Sequence, residues 1–375
     1  MSRYTSIIMH IGIDTRLTYY RTGGISTYMR RLVSTLENID NRNAYTVFQS
    51  RKAAETITEH FKTAPLWTPC HHRFERVALS VELARFGLNL LHSPDFIPPL
   101  HGAHKHVITV HDLTFLHYPQ HLTQEARHYY NDQIQTAVKQ ADHILADSEA
   151  TKTDLVNMLN VPSEKITVHM LGVDEQFKPL EPATLESQRK KHNLPEQYIL
   201  FVGTFEPRKN ILGLLQAYKQ LLEDLNDTPP IVLVGRRGWL FDETMQNIQE
   251  LKLGDRILWR EKVVDSDLPA VYNLASVLVL PSFYEGFGFP ALEAMACGTV
   301  PIVSNRSSLP EVVGQVGLQI NPDNIIELKE AIQKALTDSQ WREQNQKLGL
   351  ERAKLFRWET TAQIALSVYE AIGAQ

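Results

Sequence analysis

The sequence contains only two cysteines, Cys70 and Cys297, among its 375 residues. Two cysteines cannot form the disulfide framework of a small secreted protein, so a reducing, cytoplasmic environment is expected. No apolar run approaches the roughly 18 residues that a transmembrane helix needs. The apolar run at residues 7–13 ends at Asp14 and is predicted to be a strand rather than a signal peptide.

An excess of positive charge is also lacking. The formal net charge is −5, whereas a protein that binds nucleic acid usually carries a basic surface. Nucleic acid is therefore not expected as a partner. The chain is 43% hydrophobic and 22% charged, which is ordinary globular composition, and its length is sufficient for two domains.

The chain also lacks a dinucleotide-binding motif. Strand-like and helix-like segments alternate along the chain, which is typical of a parallel sheet covered by helices. Oxidoreductases that use dinucleotides share this alternation, but they carry G-x-G-x-x-G after the first strand and an acidic residue about 20 positions later. The chain lacks that arrangement, so this class is disfavoured.

The alternation occurs twice and predicts an α/β protein of two Rossmann-like, doubly wound domains that face each other across a cleft. The first domain is predicted at residues 1–178 and the second at 198–355. Residues 179–197 are polar, contain three prolines and are interpreted as an interdomain linker. Because ligands of such domains bind beyond the carboxyl ends of the strands, the ligand is expected in the cleft.

The most informative segment is Ser282–Gly298, S-F-Y-E-G-F-G-F-P-A-L-E-A-M-A-C-G. It follows a predicted strand, and Pro290 suits the first turn of a helix. The glycines allow a backbone to approach a ligand closely, and the helix N-terminus would attract an anion. Because Glu285 and Glu293 could bind hydroxyl groups, a sugar nucleotide fits the segment.

This segment resembles the E-x7-E signature of retaining glycosyltransferases of family 4, which have the GT-B fold. The resemblance implies that Glu285 binds hydroxyls of the donor sugar and that Glu293 binds those of the ribose. The main-chain N–H groups of Gly286, Phe287 and Gly288 would face the sugar.

A basic pair precedes the first helix of the second domain, in the segment G-T-F-E-P-R-K-N from Gly203 to Asn210. Asn210 is predicted to cap that helix. Arg208 and Lys209 then lie at the positive end of the helix dipole, which indicates an anionic ligand. The segment resembles the diphosphate-binding loop of the family, with Lys209 at the usual lysine. Thr204 stands where the commonest pattern has arginine, so that role is assigned to Arg208.

The first domain offers two further pairs. Gly23 and Gly24 precede an amphipathic helix and resemble the family's glycine-rich loop, which approaches the phosphates and the acceptor. His111 and Asp112 follow a predicted strand at its carboxyl end and resemble the family's H-D pair. The resemblance implies that His111 contacts the donor sugar near the reacting centre. Asp112 would bind the donor, orient His111 or cap the next turn.

Three weaker features complete the resemblance. The main chain near Val263 matches the place where the family contacts the base. Asp265 and Asp267 form a D-x-D pattern, but Asp267 precedes Leu268 and Pro269 and is predicted to be a helix N-cap rather than a metal ligand. Residues 356–375 should form a helix that crosses back to the first domain. No metal or other cofactor is expected.

The resemblance implies a retaining hexosyltransferase in the assembly of bacterial surface polysaccharide. The donor would be UDP-glucose or GDP-mannose, and the acceptor a saccharide or a lipid-linked saccharide. A sugar-nucleotide epimerase or a phosphorylase with the same fold is the main alternative, and a non-catalytic sugar-nucleotide sensor is another. Residues 28–31 and 71–76 could contact the inner membrane surface or be solvated helix faces.

Overall fold

The computed structural model describes residues 9–20, 23–121, 123–238 and 241–374. The chain divides into two compact units. The first comprises residues 1–172 and 357–375, and the second comprises residues 173–356.

The first unit is built on a seven-stranded sheet. Its strands are β1 His10–Asp14, β2 Ala44–Ser50, β3 Lys62–Leu66, β4 Leu88–Ser93, β5 Ala103–Val110, β6 His143–Ala146 and β7 Ile166–Val168. The strands are parallel and lie in the order β3-β2-β1-β4-β5-β6-β7. The order reverses between β1 and β4, which is the arrangement of a doubly wound sheet.

Helices cover both faces of this sheet, as a parallel sheet requires. They are α1 Leu17–Tyr20, α2 Gly24–Ile39, α3 Glu75–Leu83, α4 Thr114–His117, α5 Gln124–Gln140 and α6 Glu149–Leu159. One apolar core joins α5 and α6 to β5, β6 and β7, and another joins α3 to β2, β3 and β4.

The second unit has a six-stranded parallel sheet in the order β10-β9-β8-β11-β12-β13. The strands are β8 Ile199–Val202, β9 Ile231–Val234, β10 Ile257–Arg260, β11 Val277–Leu280, β12 Pro301–Ser304 and β13 Leu318–Ile320. Here the order reverses between β8 and β11, so the loops after these two neighbouring strands leave the same edge of the sheet.

Eight helices accompany this sheet in the described part of the second unit. They are α7 Pro182–His192, α8 Ile211–Asp224, α9 Phe241–Glu250, α10 Leu268–Leu274, α11 Phe289–Ala296, α12 Leu309–Val313, α13 Ile325–Thr337 and α14 Ser339–Ala353. The side chain of Asn210 accepts a hydrogen bond from Gly213 N at 3.2 Å, which confirms the predicted cap of α8.

The interpretation of residues 179–197 as a linker is wrong for most of that segment. Helix α7 occupies residues 182–192 and belongs to the second unit. Lys191 Nζ and His192 Nε2 bond to Asp267 Oδ2 at 2.7 and 2.9 Å. The segment is polar because α7 is largely exposed. Asp267 occupies the predicted N-cap position of α10, but its carboxylate binds α7 and makes no capping bond to α10.

The C-terminal helix α15, Trp358–Gly373, belongs to the first unit, where it packs against α2. Thr361 Oγ1 donates a hydrogen bond to Met170 O at 2.7 Å, and the Tyr369 hydroxyl is hydrogen-bonded to buried His92 at 2.6 Å. A Cβ atom at Gly172 would lie 2.4 Å from the main-chain nitrogen of Trp358. The main chain at residue 172 therefore lies so close to the start of α15 that only glycine fits there.

We expect Gly172→Ala to destabilise the protein by about 1–3 kcal/mol, because the added methyl group overlaps main-chain atoms that cannot move independently. Urea denaturation measures the change. Gly254→Ala is the control, since a Cβ there meets nothing within 4 Å. Equal stability of the two variants would contradict the packing described for Gly172.

Candidate active site

An ion cluster around Glu285 forms the centre of the site in the second unit. Glu285 lies in the loop after β11, and Arg208 and Lys209 lie in a 3₁₀ turn after the neighbouring strand β8. Lys209 Nζ donates to Glu285 Oε1 at 2.5 Å, and Arg208 Nη1 donates to Glu285 Oε2 at 2.7 Å. Lys209 and Glu285 are buried. Three of the predicted site residues are thus in direct contact.

Further hydrogen bonds fix the geometry of this cluster. The Ser282 hydroxyl donates to Glu285 Oε1 at 2.7 Å. Arg208 Nη1 also donates to Tyr284 O at 3.0 Å, and its Nε donates to Glu206 Oε2 at 2.9 Å. Because these partners come from both loops, the guanidinium group ties the loop after β8 to the loop after β11.

The cluster determines the charge of Glu285. Burial alone would raise the pKa of this carboxyl, but the charges of Lys209 and Arg208 outweigh burial and lower the pKa to about 2. Burial and the neighbouring guanidinium lower the pKa of Lys209, while Glu285 opposes that shift. At neutral pH Glu285 is therefore an ionised counter-charge for a cationic pair.

The glycine loop connects this cluster to α11. Gly288 precedes the helix with φ 105°, in the region that favours glycine, and a Cβ there would lie 2.7 Å from the Leu309 side chain. Phe287 is buried with its ring near those of Phe289 and Phe356. The Phe287 side chain therefore holds the loop in place, while Gly286 lies partly exposed beside it.

Glu293 lies on α11 in a different electrostatic environment. The Tyr272 hydroxyl donates to Glu293 Oε2 at 2.7 Å. Burial raises the pKa of Glu293, the negative charges of Asp265 and Asp174 add to the rise, and the pKa reaches about 7 although the Tyr272 bond opposes it. The two glutamates of the signature therefore differ in protonation at neutral pH.

In the first unit, the geometry is organised by His111 and Asp147. Val110 of β5 pairs with Ala146 of β6, so the residues that follow them leave the sheet side by side. His111 Nδ1 bonds to Asp147 Oδ2 at 2.7 Å, and Nε2 bonds to Pro94 O at 3.0 Å. Because a carboxylate and a carbonyl only accept hydrogen bonds, both ring nitrogens must donate and the ring is an imidazolium.

The electrostatics agree with that geometry. Burial alone would lower the pKa of His111, but the Asp147 carboxylate outweighs burial and raises the pKa to about 9. His169 Nε2 lies 3.7 Å from the other Asp147 oxygen, and burial lowers the pKa of His169 to about 4. Of these two histidines, His111 carries the charge. Asp147 was not predicted, although an acid directly after an apolar strand was a usable signal.

The two predicted glycines of the first unit are linked to His111 through α2. Gly23 precedes the helix with φ 118°, and Gly24 is its first residue. One turn further on, the buried Tyr28 ring packs edge-on against His111 with ring centroids 5.1 Å apart. Tyr28 and Met29 are both buried, so neither of the two alternatives for these residues, membrane contact or a solvated helix face, is correct.

The remaining predicted residues have local roles in the structure. Asp112 Oδ1 accepts from Thr114 N at 2.9 Å and caps the turn, while Asp147 orients His111. Gly203 follows β8, and its carbonyl oxygen lies 1.9 Å from where a Cβ at Gly235 would be, so the two backbones are in close contact. Val263 lies half-buried in the loop after β10.

The described residues contain neither a cluster suited to a metal ion nor a membrane-spanning helix. Between residues 9 and 374, excluding 21–22, 122 and 239–240, no three His, Cys, Asp or Glu side chains are placed to hold a metal ion. Within the same described segments, no helix is long and apolar enough to cross a bilayer.

Comparison with known proteins agrees with the recognised signature. Residues 22–177 match the family described as Glycosyltransferase Family 4, and residues 184–352 match Glycosyl transferases group 1. O-antigen chain mannosyltransferase B of Escherichia coli is 35% identical over 284 residues, which cover 76% of this chain and 74% of that protein. The chain therefore belongs to the family 4, group 1 glycosyltransferases, and the predicted family is confirmed.

Two further matches describe the range of similarity. O-antigen chain mannosyltransferase RfbU of Salmonella typhimurium is 32% identical over 217 residues, or 58% of this chain and 57% of that protein. A sucrose-phosphate synthase structure from Thermosynechococcus elongatus aligns over 98% of this chain and 99% of that chain, with 24% identity and a TM-score of 0.79. This structural likeness confirms the predicted GT-B fold class of two α/β domains.

We expect Asp147→Asn to lower the pKa of His111, because the carboxylate that outweighs burial is then removed. NMR titration of the histidine rings measures this shift. Asp112→Asn is the matched control, since Asp112 bonds to Thr114. A His111 ring that keeps its high pKa in Asp147→Asn would contradict the assigned pairing.

Proposed function

We propose that the protein transfers a mannosyl group, with retention of configuration, from GDP-mannose to a saccharide acceptor, free or lipid-linked, in polysaccharide biosynthesis. UDP-glucose is the alternative donor. The observation that carries the proposal is the cluster of Arg208, Lys209 and Glu285 at the carboxyl edge of β8 and β11. Mannose is favoured because the relatives described above are named mannosyltransferases.

The cationic pair is suited to the leaving group. As the glycosidic bond breaks, the nucleoside diphosphate gains negative charge, and preorganised cations stabilise that charge most effectively. A buried cation without a partner is costly, so Glu285 supplies the counter-charge while no donor is bound. When the diphosphate arrives it would share Arg208 and Lys209, and Glu285 could then accept hydrogen bonds from the hydroxyls of the sugar. These cations would supply this stabilisation without a metal ion.

Glu293 is assigned to the ribose. An ionised carboxylate accepts hydrogen bonds from two vicinal hydroxyl groups at once. The Tyr272 bond at 2.7 Å fixes Oε2 and therefore the orientation of the carboxyl group. Because the pKa of Glu293 is about 7 in the absence of ligand, ribose binding should be coupled to loss of a proton.

His111 is proposed to act as a fixed positive charge near the donor sugar rather than as a base. Both ring nitrogens already donate to Asp147 and Pro94, so the ring cannot take up a further proton. The acceptor proton would instead pass to the departing phosphate, and no side chain is proposed as a covalent nucleophile.

The remaining donor contacts are proposed through the predicted loops. Main-chain groups of the glycine loop after β11 would face the sugar, and Asp112 would lie close to it. The first-unit glycine loop and Gly203 would approach the phosphates, and Val263 would approach the base. The loop residues are Gly23, Gly24, Gly286, Phe287 and Gly288.

Purified protein should release GDP from GDP-mannose when a mannosyl acceptor is added, with formation of an α-linked product that NMR can identify. Turnover should persist in excess EDTA. Turnover with UDP-glucose alone would overturn the choice of donor. Conversion of the sugar nucleotide without an acceptor would indicate an epimerase, and dependence on inorganic phosphate would indicate a phosphorylase.

Lys209→Ala should lower kcat/KM by about 10²-fold, the size of effect expected when one preorganised charge-stabilising contact is lost. Lys219→Ala is the control, because Lys219 is a partly exposed lysine on α8 that faces Glu223 at 3.9 Å. Steady-state kinetics with the active donor measures both. If Lys209→Ala keeps the kcat/KM of the wild type, Lys209 is not part of the active site.

Donor affinity should fall about tenfold for each pH unit below 7, because protonated Glu293 no longer accepts two ribose hydroxyls. Above pH 7 the carboxylate is already ionised and affinity should level off. Calorimetric titration with the donor across this range gives the dependence. In Glu293→Gln the affinity should be weak and independent of pH. If that variant keeps the pH dependence, a group other than Glu293 causes the dependence.

A further inference from the structure

Helix α3 in the first unit has an unusual distribution of polar and apolar side chains. Glu75 and Arg76 point inward and are 3% and 8% exposed, together with the apolar Leu79 and Leu83. Glu75 pairs with buried Arg16 at 2.8 Å. The residues on the outer face of the helix are apolar instead. The ionic groups thus anchor the helix, and the solvent-facing surface is the one that a surface helix normally makes polar.

This outer face is part of a larger apolar surface. Phe74, Val77 and Val81 follow one another at spacings of three and four residues, which places them on one side of the helix. The main chain of Trp67 lies next to α3, because its N–H donates to Glu82 Oε1 at 2.7 Å. We call Trp67, Phe74, Val77 and Val81 the α3 patch. In the described part of the chain, Val81 and Trp67 are the most exposed large hydrophobic residues, at 75% and 70%.

Three arginines lie next to residues of the α3 patch. The Arg51 guanidinium lies 3.9 Å from the centre of the Trp67 ring, and that of Arg73 lies 4.8 Å from the Phe74 ring. Arg85 is exposed directly after the helix. Glu82 is the acid on this helix next to the patch, and its two oxygens accept hydrogen bonds from the main chain of residues 67 and 68. This positive surface occurs in a chain whose net charge is −5.

We propose that the α3 patch docks on the surface of an anionic phospholipid bilayer. Apolar side chains would enter the interface, where tryptophan is favoured, and the arginines would lie at the lipid phosphates. Pairing of the patch with a second copy around a two-fold axis would place arginines against arginines, so charge complementarity favours the bilayer. The proposal concerns the first unit alone and does not depend on the identity of the donor.

Co-sedimentation of the full chain with phosphatidylcholine vesicles, with and without phosphatidylglycerol, tests this proposal. The protein should bind the anionic vesicles, and high salt should weaken the binding. Val81→Asp should abolish binding. Ile326→Asp is the matched control, because Ile326 is an exposed apolar residue on α13 of the second unit, and it should bind like the wild type. Arg73→Gln and Arg85→Gln should each weaken binding about fivefold.

The proposal would be overturned if the wild-type protein did not bind anionic vesicles. It would also be overturned if Val81→Asp bound them as tightly as the wild type. If Val81→Asp instead converts a dimer to a monomer in sedimentation velocity, the patch joins two copies of the chain and the bilayer is excluded. Circular dichroism checks folding, and Trp67→Ser replaces Val81→Asp if that variant does not fold. Donor turnover with a free saccharide should be unchanged in these variants, which separates this test from that of the transferase reaction.

Discussion

The contact of Glu285 with Arg208 and Lys209 is the interaction on which the site of the second unit depends. Two cations in close contact repel each other, and their burial is costly without an opposite charge. The carboxylate provides that charge and connects the loop after β8 to the loop after β11. Since these strands are neighbours where the strand order reverses, the sheet itself brings the loops together.

Opposite charges and burial together determine the protonation of Glu285 and Glu293 in the second unit and of His111 and His169 in the first unit. Glu285 is held ionised by cations, whereas Glu293, eight residues later, has a pKa of about 7 because burial and nearby acids act on it. His111 is held protonated by Asp147, while buried His169 beside it has its pKa lowered. Such separation of pKa values between neighbouring groups gives them different chemical capacities. It assigns fixed charge to Glu285 in the second unit and to His111 in the first unit, and it leaves Glu293 able to titrate.

Much of the fold follows from local sequence patterns, and the failures have physical causes. Long apolar runs and helical spacing locate most strands and helices, but β3 contains Pro65 and β4 is rich in leucine, so neither has a typical strand pattern. The sequence of α7 is polar and lies between prolines, so its pattern cannot be distinguished from that of a linker. The ion cluster was predicted as separate ligand contacts, because pairing between 208–209 and 285 depends on the order of strands. A membrane contact was expected at residues 71–76, but the exposure of Val77 and Val81 could not be foreseen, since it depends on Glu75 being buried.

Binding of the nucleoside diphosphate of the active donor to Glu285→Gln is the most direct test of the account. If Glu285 is the counter-charge of the diphosphate site, its neutralisation frees Arg208 and Lys209 for the ligand. Calorimetry should then show binding at least as tight as in the wild type, although turnover falls because the sugar contact is weakened. Loss of diphosphate binding to the extent seen in Lys209→Ala would contradict the account, since Glu285 would then be needed to bind the phosphates themselves.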